Sequence, residues 1–165
     1  MGALNTGVLA PDFTMPTVQG GQVSLHGALA KGPVTLMFFK VSCPVCQYAL
    51  PFLERVFQAN RSANVTVLGI SQDNVRDTKE FLRQYGVTFP VALDEPAKYP
   101  VSNAYGLTNV PTIFYIAPSG EIEIACVGWD KSAIEAINQK LSEYRHQSPA
   151  TLWRKGEDIQ DFRGG

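Results

Sequence analysis

Apolar and polar residues along the chain follow patterns that predict an α/β fold. Three short, nearly uninterrupted apolar runs, at Val34–Phe39, Val65–Ile70 and Thr112–Ile116, are typical of strands covered on both faces. The first two runs are each followed by apolar residues at helical spacing, over 44–60 and 75–85. A strand, a helix and a second strand in this order predict a βαβ unit with parallel strands.

Shorter elements are predicted before and after this unit. Gly20-Gly21 separates two extended pieces within 14–25, which predicts an N-terminal β-hairpin. The other predictions are a strand at 89–93, a helix at 97–105, a strand at 121–128 after the turn Pro118-Ser119-Gly120, and a helix from Ser132 to about Arg145 that Asp130 can cap.

Chain length and composition favour one compact domain. The chain has 165 residues, of which 45% are apolar, and this suffices to bury a core. It also excludes a disordered chain and a disulfide-dense miniprotein. We predict a domain over residues 1–146. Residues 147–165 are mostly polar and are predicted to form a tail or a loosely docked extension.

Net charge and the N-terminal residues limit the expected partners and location. Fourteen Lys and Arg residues against 15 Asp and Glu residues give no electrostatic reason to expect nucleic acid or an acidic membrane surface. The apolar runs are too short to span a bilayer. The first residues lack the basic and apolar pattern of a secretory signal, so we expect a cytoplasmic protein, with a periplasmic location as the alternative if a signal had been removed.

Cysteines carry the clearest candidate chemistry. Cys43 and Cys46 lie where the first buried strand is predicted to turn into the first helix. At the N-cap, free backbone N–H groups and the positive end of the helix dipole favour a thiolate, so Cys43 is predicted to be the attacking sulfur. Cys46 lies one turn deeper on the same helical face and is suited to resolve a mixed disulfide.

Other interpretations of this pair are weaker. A zinc site needs two more ligands, and the chain offers only Cys126, His26 and His146 without a second paired spacing. Covalent haem attachment needs His where Gln47 stands. Two inert neighbouring thiols remain an alternative, although a helix N-terminus is a poor place to keep a thiol inert. Cys126 shares a strand face with isoleucines and is predicted to be a small buried apolar residue.

A second candidate feature is Val110-Pro111, directly before the third apolar run. The simple interpretation is a proline in a turn or at the start of an edge strand. A cis bond would instead place the Val110 backbone beside the sulfur atoms, where an extended, cysteine-containing peptide can pair with it. The sequence does not determine the isomer.

Several motifs occur in an order known from one protein family. They are Ala10-Pro11-Asp12-Phe13, the run 34–39, Cys43-Pro44-Val45-Cys46 with Pro51, the segment 89–94, Val110-Pro111-Thr112 and Pro118-Ser119-Gly120. Over about residues 8–146 the chain resembles thioredoxin-like thiol–disulfide oxidoreductases of the TlpA-like and redoxin (AhpC/TSA-related) branch. Two residues depart from that pattern. Ser42 stands where many relatives carry Trp, and Met37 aligns with the buried acid of typical thioredoxins.

The resemblance implies a thioredoxin fold, with a central mixed β-sheet flanked by helices, an N-terminal β-hairpin and a central helical insertion. It also implies that Cys43 is the nucleophile, that Cys46 is the resolving cysteine and that the peptide bond before Pro111 is cis. We expect the substrate to contact Pro44, Val45, Val110 and Pro111.

The leading hypothesis for function is dithiol–disulfide exchange by a monomer. The expected partners are disulfide-bearing proteins and a redox partner, with no metal and no cofactor besides the Cys43–Cys46 disulfide. The alternative is a peroxiredoxin-like thiol peroxidase, which shares the Pro-Asp-Phe opening. Counted from Cys46, however, Phe39 and Cys43 occupy the places of that family's proline and threonine or serine. A redox-inert binding module would be expected to lose the cysteines, and both are present.

Overall fold

The computed structural model describes residues 2–61 and 63–165, and it arranges them in nine strands and five helices. The strands are β1 (Thr14–Pro16), β2 (Gln22–Ser24), β3 (Val34–Phe39), β4 (Thr66–Ser71), β5 (Val91–Leu93), β6 (Thr112–Ile116), β7 (Ile122–Val127), β8 (Trp129–Asp130) and β9 (Phe162–Arg163). The helices are α1 (Leu25–Leu29), α2 (Pro44–Ala59), α3 (Val75–Tyr85), α4 (Pro100–Ala104) and α5 (Lys131–Arg145).

The central sheet is mixed and has the strand order β5-β4-β3-β6-β7. Strands β3, β4 and β5 are parallel, whereas β6 runs antiparallel to β3 and β7 antiparallel to β6. The predicted βαβ unit is therefore present as β3, α2 and β4. The predicted N-terminal hairpin is also present, because β1 and β2 pair antiparallel beside this sheet.

Side chains of β3 alternate between two apolar clusters, one on each face of the sheet. Met37 and Phe39 belong to the cluster covered by α2, α3 and α5, and Leu36 and Phe38 to the cluster on the N-terminal hairpin side. All four are completely buried. Burial on both faces explains why this strand is a continuous apolar run rather than an alternating one.

Helix ends agree with the chemistry of their capping residues. Asn74 and Asp130 accept hydrogen bonds from the first backbone N–H groups of α3 and α5. Gly86 ends α3 in the left-handed conformation, with a φ of 66°. Helix α1, capped by Ser24, was not among the predicted elements, because its five residues are too few to show a helical period.

Residues 147–165 contact the rest of the molecule through apolar side chains and one short strand. Leu152 is 5% exposed, and Trp153 lies edge-on to Phe52 in α2 with ring centroids 5.5 Å apart. Near the end of the segment, β9 pairs antiparallel with β8. Such sparse apolar contacts have no sequence period, so the pattern along the chain did not reveal them.

Helices long and apolar enough to cross a membrane are absent from the described residues.

Candidate active site

Cys43 lies at the N-cap of α2, after the carboxyl end of β3. Its backbone is extended, and its Sγ accepts a hydrogen bond from the Cys46 amide at 3.1 Å. Pro44 occupies the first helical position, where its missing N–H group is not needed. An N–H donor and the positive end of a 16-residue helix therefore face the sulfur. Both interact more favourably with a negatively charged sulfur than with a neutral one.

Cys46 lies behind Cys43 and is completely buried, whereas Cys43 is partly exposed. Burial raises the pKa of the Cys46 thiol far above its ordinary value, and the hydrogen bond with Cys43 adds to the effect. The charges of Cys43 and Asp73 act in the same direction, because a second negative charge nearby disfavours a thiolate. The two sulfurs therefore differ in access to solvent, and only Cys43 can meet a substrate first.

The peptide bond between Val110 and Pro111 is cis, as the family resemblance implied. It places the Val110 carbonyl beside the active-site sulfur, and the Cys43 thiol donates a hydrogen bond to that oxygen at 3.5 Å. The two residues are separated by 67 positions in the sequence. The structure thus brings together the two features that were singled out separately in the sequence.

Side chains between the two cysteines point in different directions. Pro44 is exposed at the surface, in keeping with its expected contact with substrates. Val45 is only 9% exposed and packs in the core on the helix side of the sheet. The Val45 side chain therefore offers little surface to a substrate, and the expected substrate contact at Val45 stays a prediction. The first turn of the helix rotates it inwards, where an apolar residue is stabilised by burial.

A polar cleft of about 440 Å³ opens beside Cys43. Lys40 lines it at the rim, with its Nζ 6.0 Å from the centre of the Tyr99 ring. Gln72 and Ser102 lie deeper and are nearly buried, and the Gln72 amide donates to Ser102 Oγ at 2.9 Å. This cleft gives small polar groups access to the nucleophile.

Asp94 holds this side of the cleft in place. Its completely buried carboxylate accepts hydrogen bonds from the Ser102 hydroxyl at 2.7 Å and from the Ser102 amide at 2.8 Å. It also accepts the amides of Val101 and Glu95 at 3.2 and 3.0 Å. A buried carboxylate with this many donors fixes the start of α4, and through Ser102 it fixes the orientation of Gln72.

Asp73 is a residue of the site that the sequence analysis missed. It follows β4 as Cys43 follows β3, and its carboxylate accepts the Val41 amide at 2.8 Å, which ties the two loops together. A signal was available, because the carboxyl ends of neighbouring parallel strands meet at the same edge of a sheet. Met37, by contrast, is completely buried and offers no ionisable group to either cysteine.

Cys126 lies apart from this site on β7. It is 9% exposed, and its thiol donates to the Gly128 carbonyl at 3.6 Å. Burial raises the pKa of Cys126 to about 11, and the charge of Asp130 adds to the effect. It is the buried residue that the strand pattern predicted. Over 2–61 and 63–165, no three His, Cys, Asp or Glu side chains group in a way that could hold a metal ion.

Comparison with known proteins agrees with this geometry. The sequence model of the AhpC/TSA family matches residues 6–125. The chain belongs to the AhpC/TSA family. The chain is similar to the thiol-disulfide oxidoreductase ResA of Bacillus thuringiensis (strain Al Hakam), with 27% identity over 141 residues. The alignment covers 84% of this chain and 80% of the relative.

Solved structures similar to this AhpC/TSA family member include a thiol:disulfide interchange protein of the thioredoxin family from Chlorobium tepidum TLS. The two share 27% identity and a TM-score of 0.69, over 83% of this chain and 97% of that structure. The thioredoxin domain of a thiol-disulfide oxidoreductase from Bacteroides vulgatus superposes with a TM-score of 0.74 over 84% and 99% of the two chains. At 23% identity, the second similarity concerns the fold alone.

These similarities confirm two predictions from the sequence, the thioredoxin fold and thiol–disulfide oxidoreductase activity. The peroxidase alternative is less favoured, because the relatives are thiol–disulfide oxidoreductases.

Proposed function

We propose that Cys43 and Cys46 are the redox pair of this enzyme and that they exchange a disulfide with protein substrates without a bound cofactor. The observation that carries the proposal is the position of the Cys43 sulfur. It accepts the Cys46 amide at the start of α2, and it lies 3.5 Å from the Val110 carbonyl, at the backbone edge where a peptide can pair.

The proposed reaction has two displacement steps. The Cys43 thiolate attacks one sulfur of the substrate disulfide, forms a mixed disulfide and releases the other substrate sulfur as a thiolate. Cys46 then attacks the Cys43 sulfur and releases the second substrate sulfur. The protein dithiol is oxidised by two electrons, the substrate disulfide is reduced, and the two protons of Cys43 and Cys46 end on the two substrate thiols.

The burial of Cys46 supports the order of these steps. The raised pKa of Cys46 keeps this thiol protonated in the reduced protein before a substrate binds. Cys46 therefore does not compete with Cys43 for the first attack. Burial and the charge of Asp73 still raise the pKa of Cys46 once Cys43 is in the mixed disulfide, but the contributions from the Cys43 hydrogen bond and the Cys43 charge are gone. Cys46 thus becomes a better nucleophile at the stage when it is needed.

Substrate contacts in this proposal come from backbone and surface rather than from a deep pocket. The exposed Pro44 and the Val110-Pro111 backbone form the contact region, and Val45 supports it from the core. A second thiol-containing partner is needed to return the disulfide to the dithiol state. The monomeric state and the cytoplasmic location stay predictions, and a role in cell redox homeostasis is part of this proposal.

A pair of cysteine variants tests the assignment. Cys43→Ser is expected to abolish the reduction of insulin, because the first bond cannot form. Cys46→Ser is expected to accumulate a mixed disulfide with insulin, because nothing displaces the substrate from Cys43. The trapped species is detected as a band on a non-reducing gel that disappears with dithiothreitol.

The third cysteine provides the matched control for that experiment. Cys126→Ser removes a thiol from the buried strand β7 and should keep the activity of the unchanged protein. Insulin reduction that persists in Cys43→Ser would overturn the assignment. Peroxide consumption measured with the same variants addresses the peroxidase alternative, and rapid turnover of peroxide by Cys43→Ser would favour that alternative.

A further inference from the structure

The segment 147–165 runs across the molecule from the far end of α2 to the active site. Arg55 in α2 donates to both carboxylate oxygens of Glu157, at 2.7 and 2.6 Å. Further along, the Trp129 indole N–H donates to the Gln160 carbonyl at 2.7 Å. These contacts fix the direction of the segment, so that β9 pairs with β8 and the following residues reach the loop before β6.

Gly165 lies directly against the carbonyl group to which Cys43 is hydrogen-bonded. A Cβ atom added at position 165 would overlap the Val110 carbonyl oxygen and lie 3.4 Å from Pro111 Cδ. The carbonyl of Gly165 also accepts a hydrogen bond from the Asn109 side chain at 3.3 Å. The backbone of Gly165 thus occupies the space beside the Val110 carbonyl. A peptide backbone that pairs with Val110 would need the same space.

Val110 is the backbone edge at which the proposed function places the substrate. Within residues 2–61 and 63–165 its amide has no hydrogen-bond partner, which leaves it free to pair with an added strand. Its carbonyl is approached by both Cys43 and Gly165. A peptide that pairs with this edge must therefore compete with the chain's own residues 164–165.

We infer that residues 164–165 determine substrate specificity. They slow the reaction of Cys43 with disulfides of peptides and proteins more than its reaction with small disulfides. The inference rests on the proposed function, because it assumes attack by Cys43 beside Val110. A small disulfide has no backbone to pair at Val110 and can reach Cys43 from the Lys40 side of the polar cleft, which Gly165 lines on another side. A peptide disulfide needs the same carbonyl and meets Gly165.

Single-turnover oxidation of the reduced protein tests this inference. Two oxidants are compared, insulin as a peptide disulfide and bis(2-hydroxyethyl) disulfide as a small one, and the loss of free Cys43 thiol is followed by quenched alkylation and mass spectrometry. Gly165→Ala places a methyl group against Val110 and should displace the segment. We expect the second-order rate constant with insulin to rise about fivefold, the factor for one backbone hydrogen bond of ordinary net strength. The rate constant with the small disulfide should change much less, because Gly165 is only one of the residues that line the cleft.

Gly164→Ala is the matched control, because a Cβ atom at position 164 meets no other atom within 4 Å. It should leave both rate constants unchanged. A chain that stops at Arg163 keeps the β8–β9 pair and should behave like Gly165→Ala. It provides a second test if Gly165→Ala does not fold. The inference would be overturned if a variant changed the rate constants with insulin and with the small disulfide by the same factor. It would also be overturned if Gly165→Ala and Gly164→Ala gave the same rate constants and the shortened chain had no effect.

The proposed function is tested separately in the same assay. Oxidation at Cys46 that is unaffected by Cys43→Ser would contradict the assignment of the nucleophile. If Cys43→Ser is unreactive while the variants at 164 and 165 do not differ from the unchanged protein, only the role of the segment fails.

Discussion

Three cysteines in this protein have the same side chain and three different environments. Cys43 is partly exposed at a helix N-terminus, Cys46 is buried behind it, and Cys126 is buried in a strand of the sheet. Because a thiolate and not a thiol is the nucleophile, burial decides which of them react. The odd number of cysteines in the sequence is thus resolved into one candidate redox pair and one buried thiol.

Alkylation should distinguish the cysteines at the residue scale. With the pKa of Cys126 raised to about 11, about one molecule in a thousand carries its thiolate at pH 8. We expect iodoacetamide at this pH to modify Cys43 in the folded, reduced protein and to leave Cys126 unmodified, as measured by mass spectrometry of peptides. In guanidinium chloride all three should react. Modification of Cys126 as fast as Cys43 in the folded protein would contradict its buried position.

At the scale of elements, the segment 147–165 is held by a few specific contacts rather than by a continuous apolar face. The bidentate pair between Arg55 and Glu157 is the strongest of the polar ones, and Arg55 also donates to the Leu152 carbonyl at 2.9 Å. Hydrogen bonds from Arg55 lower the pKa of Glu157 from 4.5 to about 2. A lowered pKa means that the folded state favours the carboxylate, so the contact depends on pH.

Acid should therefore release this segment before the domain unfolds. The stabilisation by Glu157 is complete above pH 4.5 and is lost as the pH falls toward 2, because protonation removes the charge that Arg55 binds. We expect a change in tryptophan fluorescence over this range, since Trp153 leaves Trp129 and Phe52. Far-UV circular dichroism should show that the helices persist.

Two glutamine variants control this acid titration. Glu157→Gln lacks the titrating carboxylate and should show the fluorescence of the released segment already at pH 6. Glu135→Gln removes the carboxylate that accepts the Trp153 indole N–H at 3.3 Å, and it should retain the acid transition. A transition that vanishes in Glu135→Gln and persists in Glu157→Gln would show that the wrong carboxylate was assigned.

The whole molecule buries several groups that ionise only at high pH. Burial raises the pKa of Cys126 from 9.0 to about 11 and that of Tyr115 from 10.0 to about 12, and it raises the pKa values of Cys46 and Tyr105 further. In each case the folded state favours the neutral form. Their contribution to the free energy of unfolding is therefore complete below pH 9 and is lost as the pH rises toward 12.

Denaturant unfolding at two pH values tests this loss of stability at high pH. For Cys126 alone, the pKa difference corresponds to a loss of about 2 kcal/mol in the free energy of unfolding between pH 8 and about pH 10.5. Cys126→Ala should be less stable than the unchanged protein at pH 8, and it should lose less stability on going to the higher pH. An equal loss in both proteins would exclude a contribution from Cys126.

Much of this architecture could be predicted from local sequence alone. The apolar runs determine β3 and β6, whose bounds match the predicted ones, because strands buried on both faces need uninterrupted apolar residues. Cys43 at the N-cap of α2 also follows locally, from the end of a strand and from Pro44 at the first helical position. For the same reason, local sequence is sufficient to place the candidate site at this edge of the sheet.

Tertiary structure decided what surrounds the sulfur. The contact of Cys43 with Val110, the hydrogen bond from Val41 to Asp73 and the approach of Gly165 to Val110 all join residues that are distant in the chain. Such contacts depend on how elements pack, and neither hydrophobic period nor residue spacing records them. The sequence by itself thus determined which cysteine lies at the helix start, and only the packed chain determined what shares the space in front of it.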